Sequence, residues 1–179
     1  CLKKMQRSAT RLPTSYNAAN SGVGLAIQLS RKPNKRVGVV GLGAGSLAAF
    51  GKSGDHYTFY EINPDVIRLS EEDWFTYVTA ARARKVKVSL VLGDARLAME
   101  REQLPDNNKY DVLVLDAFSS DSIPVHLLTR EAFVTYQRLL TPEGVLAVHI
   151  SNRYLDLNPV MMNLSEDRQF QYTIIANGE

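Results

Sequence analysis

Short apolar runs recur along this chain with helix-like segments between them, and each run stops at a glycine, an acid or a serine. Val37–Val40 ends on Gly41, His56–Tyr60 on Glu61, Val86–Leu92 on Gly93-Asp94, Tyr110–Leu115 on Asp116, and Val145–Ile150 on Ser151. The runs are near-continuous in apolar residues, not alternating, as strands are when a parallel sheet is covered on both faces. Between them, Ser46–Phe50, Pro64–Glu72, Ala95–Gln103 and Thr129–Leu140 read as helical, with Asn63 and Thr129 as caps and Pro64 as a first helical residue. Val23–Leu29 adds one or two helical turns at a sheet edge, and Pro142-Glu143-Gly144 a tight turn. Leu157–Leu164 is expected to be a helix and Phe170–Ala176 a sixth strand. Tyr60 is expected in the sheet core, His149 packed inside the fifth strand, and Trp74, Phe75 and Tyr77 in a core patch near the surface.

A chain of 179 residues suits one domain. Its 45% hydrophobic and 22% charged residues argue against disorder and against a membrane bundle. The longest strongly apolar stretch, Val37–Leu42, is far too short to span a bilayer. One cysteine, Cys1, allows neither an intrachain disulfide nor a cysteine-based zinc site, and the histidines at 56, 126 and 149 are too scattered for a metal cluster. No metal is expected. Residues 1–54 carry nine Lys or Arg and no acid, whereas 55–179 carry twelve basic and nineteen acidic residues, a net of −7. The basic residues form two small groups, Lys3 to Arg11 and Arg31 to Arg36, without aromatic interleaving, so a solvated surface is expected and not a nucleic-acid site. A lead-in segment, 1–35, is expected before a domain over 36–179. A chain starting at Cys1 is expected to be a fragment or a processed product; it shows no apolar signal segment.

Parallel sheets bind ligands at the carboxyl ends of their strands, where the polar residues of this chain gather. Gly41, Gly43 and Gly45 permit a tight turn and close approach of a ligand to backbone. The spacing is neither that of a dinucleotide fingerprint, since residue 46 is serine, nor that of a P-loop. Glu61, at the end of the next strand, can accept both hydroxyls of a ribose; the plainer reading is a helix-capping or solvent-facing acid. Asp94 can accept from an adenine amino group while the Ala95 N–H serves a ring nitrogen, or Asp94 can simply cap the helix that follows. Asp116 and Asp121 share a serine-rich loop with two hydroxyls, and either can orient an amine and take its proton. Asp116 can otherwise organise its loop, and Asp121 can be a solvated acid. Tyr16 can reach over the ligand or be an idle loop hydroxyl. Asn152 and Tyr154, after the fifth strand, can touch an acceptor, and His126 can line the mouth of the cleft. Acids at 61, 94 and 116 suit a ligand with a ribose, an adenine and a cationic sulfonium.

On Gly41-Leu42-Gly43-Ala44-Gly45, Tyr60-Glu61-Ile62-Asn63, Gly93-Asp94-Ala95, Tyr110–Asp116 and Leu140–Leu146, the chain resembles the spermidine synthase (polyamine aminopropyltransferase) family. Bacterial spermidine synthase-like proteins, some fused to membrane segments, are the nearest likeness. The resemblance runs from about Val37 to Asn152. It implies an α/β, Rossmann-like S-adenosylmethionine-dependent methyltransferase fold, a mostly parallel sheet with helices on both faces. Six strands are counted, so the last strand is expected to be missing, leaving an edge open for pairing into a homodimer. The resemblance further implies that decarboxylated S-adenosylmethionine gives its aminopropyl group to a polyamine acceptor such as putrescine. The Gly41–Gly45 turn and Glu61 would hold the nucleoside, Asp94 would meet the adenine, and Asp116 would match the catalytic aspartate. The family's Asp-Ser-Ser-Asp-Pro loop is altered here to Asp116-Ala117-Phe118-Ser119-Ser120-Asp121, with Asp121 standing for the second acid. Methyl transfer from S-adenosylmethionine and a catalytically inactive nucleoside-binding domain are the alternatives. A cytoplasmic location is expected, or the cytoplasmic face of a membrane if the full protein carries membrane segments.

Overall fold

The computed structural model describes residues 18–118, 123–150 and 155–176. Five strands form one sheet: β1 (Arg36–Val40), β2 (His56–Glu61), β3 (Lys87–Leu92), β4 (Tyr110–Leu115) and β5 (Leu140–Val148). All neighbours are parallel, in the order β3-β2-β1-β4-β5. The chain therefore winds outward from β1 to β3 and then crosses to the other side of β1. The reversal lies between β1 and β4, and the carboxyl ends at such a switch point are where parallel sheets take ligands.

Among the described residues six α-helices cover the sheet: α1 (Gly22–Leu29), α2 (Pro64–Glu71), α3 (Tyr77–Ala83), α4 (Ala95–Arg101), α5 (Arg130–Leu139) and α6 (Asn158–Asp167). The apolar runs supply both faces. Val37, Val39, Tyr57, Phe59, Val112 and Val114 pack with Val23 and Ile27 of α1 and Val78 and Ala81 of α3. Val40, Tyr60, Leu113 and Leu115 pack with Met99 of α4, Phe133 and Tyr136 of α5 and Leu164 of α6. Every residue of β4 is buried, as befits a strand flanked by β1 and β5 and packed on both faces. The caps are as expected: Asn63 Oδ1 accepts from the Asp65 N–H at 2.9 Å, and Thr129 Oγ1 from the Ala132 N–H at 3.2 Å.

Several expectations need correction. Ser46–Phe50 is a 3-10 turn and not the start of an α-helix. Residues 142–144 do not break the fifth strand. They bulge out of β5, so Tyr110 pairs with Leu140 but Val112 with Val145. Helix α3 was not expected, because it opens on Tyr77-Val78-Thr79, which favour strand, before the helix-forming Ala80–Ala83. Asp73, with a positive φ of 62°, turns the chain into it, and Trp74 is left 59% exposed outside the core, whereas Tyr77 is buried. Phe170–Ala176 is not a sixth strand. The Phe170 N–H closes α6 on the Ser165 carbonyl, and its ring packs edge-on to Phe133, so the segment is drawn onto α5 and not along a sheet edge.

Candidate functional site

The strand ends lie in one row. Val40 pairs with Tyr60 and with Leu115, Glu61 with Leu92, and Leu115 with Val148. The ladder continues past them: the Gly41 N–H donates to Tyr60 O, the Asp116 N–H to Val40 O, the His149 N–H to Leu115 O and the Gly93 N–H to Glu61 O. Gly93, Glu61, Gly41, Asp116 and His149 thus stand side by side at the carboxyl edge. Strands are spaced about 4.8 Å apart, so the Glu61 and Asp116 ends are separated by ~10 Å, with the glycine turn between them.

The turn needs its glycines for different reasons. Gly41 has φ +96°, and a Cβ there would stand 2.7 Å from the Asp116 carbonyl oxygen, so β1 and β4 meet closely. Gly43 has φ +51°, and no described atom lies within 4 Å of its would-be Cβ. Gly93, at φ +138°, is open in the same way. The backbone is therefore bared to space at both places. Gly45, at φ +77°, packs on Val78 and leads into the 3-10 turn.

Glu61 is nearly buried, and its carboxylate braces the turn. Oε2 accepts from the Leu42 N–H and Oε1 from the Asn63 N–H, both at 2.9 Å. A carboxylate has about four acceptor positions, so two remain for a ligand's hydroxyls. Beside it, Ile62 presents an apolar side chain 69% exposed. Asp94 does cap α4: Oδ1 accepts from the Leu97 N–H at 2.9 Å, while Oδ2 lies 3.1 Å from Nε2 of His126. Ala95 is the first residue of α4, where N–H groups have no acceptor within the helix.

Asp116 Oδ1 lies 2.9 Å from Nδ1 of His149. Their side chains are 8% and 23% exposed. Phe118 meets the imidazole edge-on, with centroids 4.7 Å apart. His149 was expected as a packed strand residue; it instead stands just past β5 and points at the acid of the neighbouring strand. Nothing local marks it, because its partner is 33 residues earlier. The sequence reading also passed over Ile62. Asp121, Tyr16, Asn152 and Tyr154 lie outside the described residues. Among the described residues no group of three or more His, Cys, Asp or Glu gathers to hold a metal, and no helix is long and apolar enough to cross a membrane. Surface hollows along Gln103–Asp106 with Arg138 and between Lys32, Asp111 and Glu143 lie at the amino ends of the strands, away from this row.

No family model matches the chain. Over 120 residues, 64% of its length, it is 34% identical to a polyamine aminopropyltransferase of Vibrio vulnificus (strain CMCP6), of which the match covers 37%. The chain therefore spans little more than a third of that curated relative. Its structure superposes on a probable spermidine synthase from Corynebacterium glutamicum ATCC 13032 with a TM-score of 0.57 and 25% identity, covering 82% of this chain and 47% of the other. It also superposes on human Methyltransferase-like protein 13 in complex with SAH, with a TM-score of 0.58 and 22% identity, covering 92% of this chain and 71% of the other. That second likeness concerns the fold alone. In sequence the chain is similar to a polyamine aminopropyltransferase, and its fold is the Rossmann-like one of S-adenosylmethionine-dependent methyltransferases.

Proposed function

We propose that residues 36–179, led in by 1–35, form the nucleoside-binding domain of an aminopropyltransferase. The donor is decarboxylated S-adenosylmethionine and the acceptor a small amine such as putrescine. The observation that carries this reading is the row of strand ends, with two acids flanking a bared glycine turn at the switch point. The likeness to a polyamine aminopropyltransferase supports it.

Each part of the donor has a fitting group. The turn at Gly41, Gly43 and Gly45 receives the nucleoside's sugar side, and Glu61 the ribose hydroxyls with its two remaining acceptor positions. Ile62 lies against the flat face of the base. Asp94 accepts from the adenine amino group while keeping its cap, and the Ala95 N–H serves a ring nitrogen. Asp116, with Asp121 on the same loop, orients the acceptor and supplies the negative charge that amine deprotonation needs. Tyr16, Asn152 and Tyr154 border the acceptor. Transfer moves positive charge from sulfur to nitrogen, so holding both centres in line matters more than binding either tightly. The intact donor's carboxylate would approach Asp116 as a like charge, which disfavours methyl transfer from S-adenosylmethionine.

Calorimetry of the full protein against decarboxylated S-adenosylmethionine, S-adenosylmethionine and methylthioadenosine tests the reading, followed by mass analysis of products with putrescine. The expected result is tighter binding of the decarboxylated donor and a product heavier by one aminopropyl group. Preference for the intact donor with a methylated product would replace it, and binding without any product would leave an inactive nucleoside domain.

A further inference from the structure

We propose that His149 takes the proton of the acceptor ammonium at Nε2, with Asp116 behind it as the carboxylate that orients the ring; this rests on the aminopropyltransferase reading above. An ionised carboxylate only accepts hydrogen bonds, so the 2.9 Å contact to Asp116 Oδ1 places the ring proton on Nδ1. The basic lone pair of a neutral imidazole is then on Nε2. Asp116 is the more deeply buried member and His149 the more accessible one. That is the order of an orienting acid behind a working base. The ring is held firmly: its backbone N–H donates to Leu115 O at 3.0 Å, and Phe118 packs against its face or edge at 73°. The pair also sits where the reaction must occur, on the strands beside the glycine turn, with Gly41 in close approach to the Asp116 carbonyl.

The second His–Asp pair differs in the nitrogen engaged and in its exposure, although there too the acid is the more buried member. His126 meets Asp94 through Nε2, its side chain is 49% exposed, and Asp94 is already committed to capping α4. It has the arrangement of a brace, not of a base.

The acceptor's ammonium gives one proton to Nε2, forming an imidazolium paired with Asp116. The freed nitrogen lone pair bonds to the aminopropyl carbon, the carbon–sulfur bond breaks, and its electrons stay on sulfur as a neutral thioether. The nitrogen keeps the positive charge as a secondary ammonium, and the imidazolium then releases its proton to water.

The test uses the full-length protein, with the donor varied at saturating amine and the amine at saturating donor. Glutamine at 149 keeps a polar group beside Asp116 but cannot take the proton, so H149Q is expected to lose ~100-fold in kcat with the donor KM changed by less than about 3-fold. H149A is expected to regain part of its rate on addition of imidazole. An H149Q enzyme within about 3-fold of wild-type kcat, or a loss confined to KM, overturns the proposal. A failure of imidazole to raise the H149A rate overturns it as well. Nitrogen-15 spectra of the histidine rings give a readout that needs no turnover. The wild type should show the Nδ1–H tautomer at His149, and D116N should lose that preference; an Nε2–H tautomer in the wild type overturns the proposal. If the wild type holds the Nδ1–H tautomer but transfers no aminopropyl group, the functional reading fails and the proton step with it, while the dyad geometry stands.

Discussion

At the scale of single residues, the glycine turn separates binding from stability. Gly43→Ala places a methyl in open space at φ +51°, so its folding cost is the left-handed strain of ~1–2 kcal/mol. The same methyl projects to where the donor would lie. Calorimetry should show nucleoside affinity reduced by more than about tenfold, beyond what a small fall in melting temperature explains. Gly41→Ala should behave differently. Its methyl would stand 2.7 Å from the Asp116 carbonyl, and the backbone cannot give way without parting β1 from β4. A thermal melt should show a much larger loss of stability than for Gly43→Ala. The glycines and Glu61 were legible from sequence because a turn and an acid after consecutive apolar runs are local patterns. His149 was not legible, because its role depends on which strand lies beside β5.

At the scale of elements, α5 shows how a local signal and a tertiary contact meet. Thr129 caps its first turn through Ala132, and Nη1 of Arg96 on α4 also donates to Thr129 Oγ1 at 3.2 Å. The same Nη1 donates to the His126 carbonyl at 2.9 Å, tying α4 to the turn before α5. Thr129→Ala should cost about 1 kcal/mol in urea unfolding, with the m-value unchanged, since the buried face of Phe133, Tyr136 and Leu139 stays intact. Caps such as Thr129 and Asn63-Pro64 could be read directly, because they depend on a few neighbouring residues. Helix α3 and the β5 bulge could not. Tyr77-Val78-Thr79 favours strand while Ala80–Ala83 favours helix, and packing of Val78 and Ala81 onto the sheet decides the mixed signal. The bulge is set by β4, whose Tyr110 and Val112 dictate which residues of β5 can pair.

At the scale of the whole molecule, the core carries an unusual load of buried phenols. Tyr60 donates to Glu102 Oε1 at 2.7 Å and lies 2.6 Å from the Tyr110 hydroxyl, joining β2, β4 and the end of α4. Tyr136 donates to the Leu127 carbonyl, whereas the buried Tyr57 hydroxyl has no hydrogen-bond partner among the described residues. Burial raises all four above the ordinary tyrosine range, because a phenolate would be stranded away from water. The unfolded chain ionises these groups near pH 10, while the fold keeps them protonated. Above that pH the unfolded state binds fewer protons, so stability falls as pH rises, by up to about 1.4 kcal/mol per pH unit for each tyrosine. The urea midpoint should hold to about pH 9 and drop by pH 11, and Tyr57→Phe should lessen that drop while leaving stability at pH 8 equal or higher. Sequence alone determined the first four strands to within a residue, the capped starts of α2 and α5, the parallel covered sheet, and that acids and glycines end successive strands, because apolar runs, caps and turns are written along the chain. Tertiary structure alone decided that His149 meets Asp116, that Trp74 faces solvent and that Phe170 leaves the sheet. Parallel strands are joined by long crossovers, so their lateral neighbours exist only once the helices between them have packed.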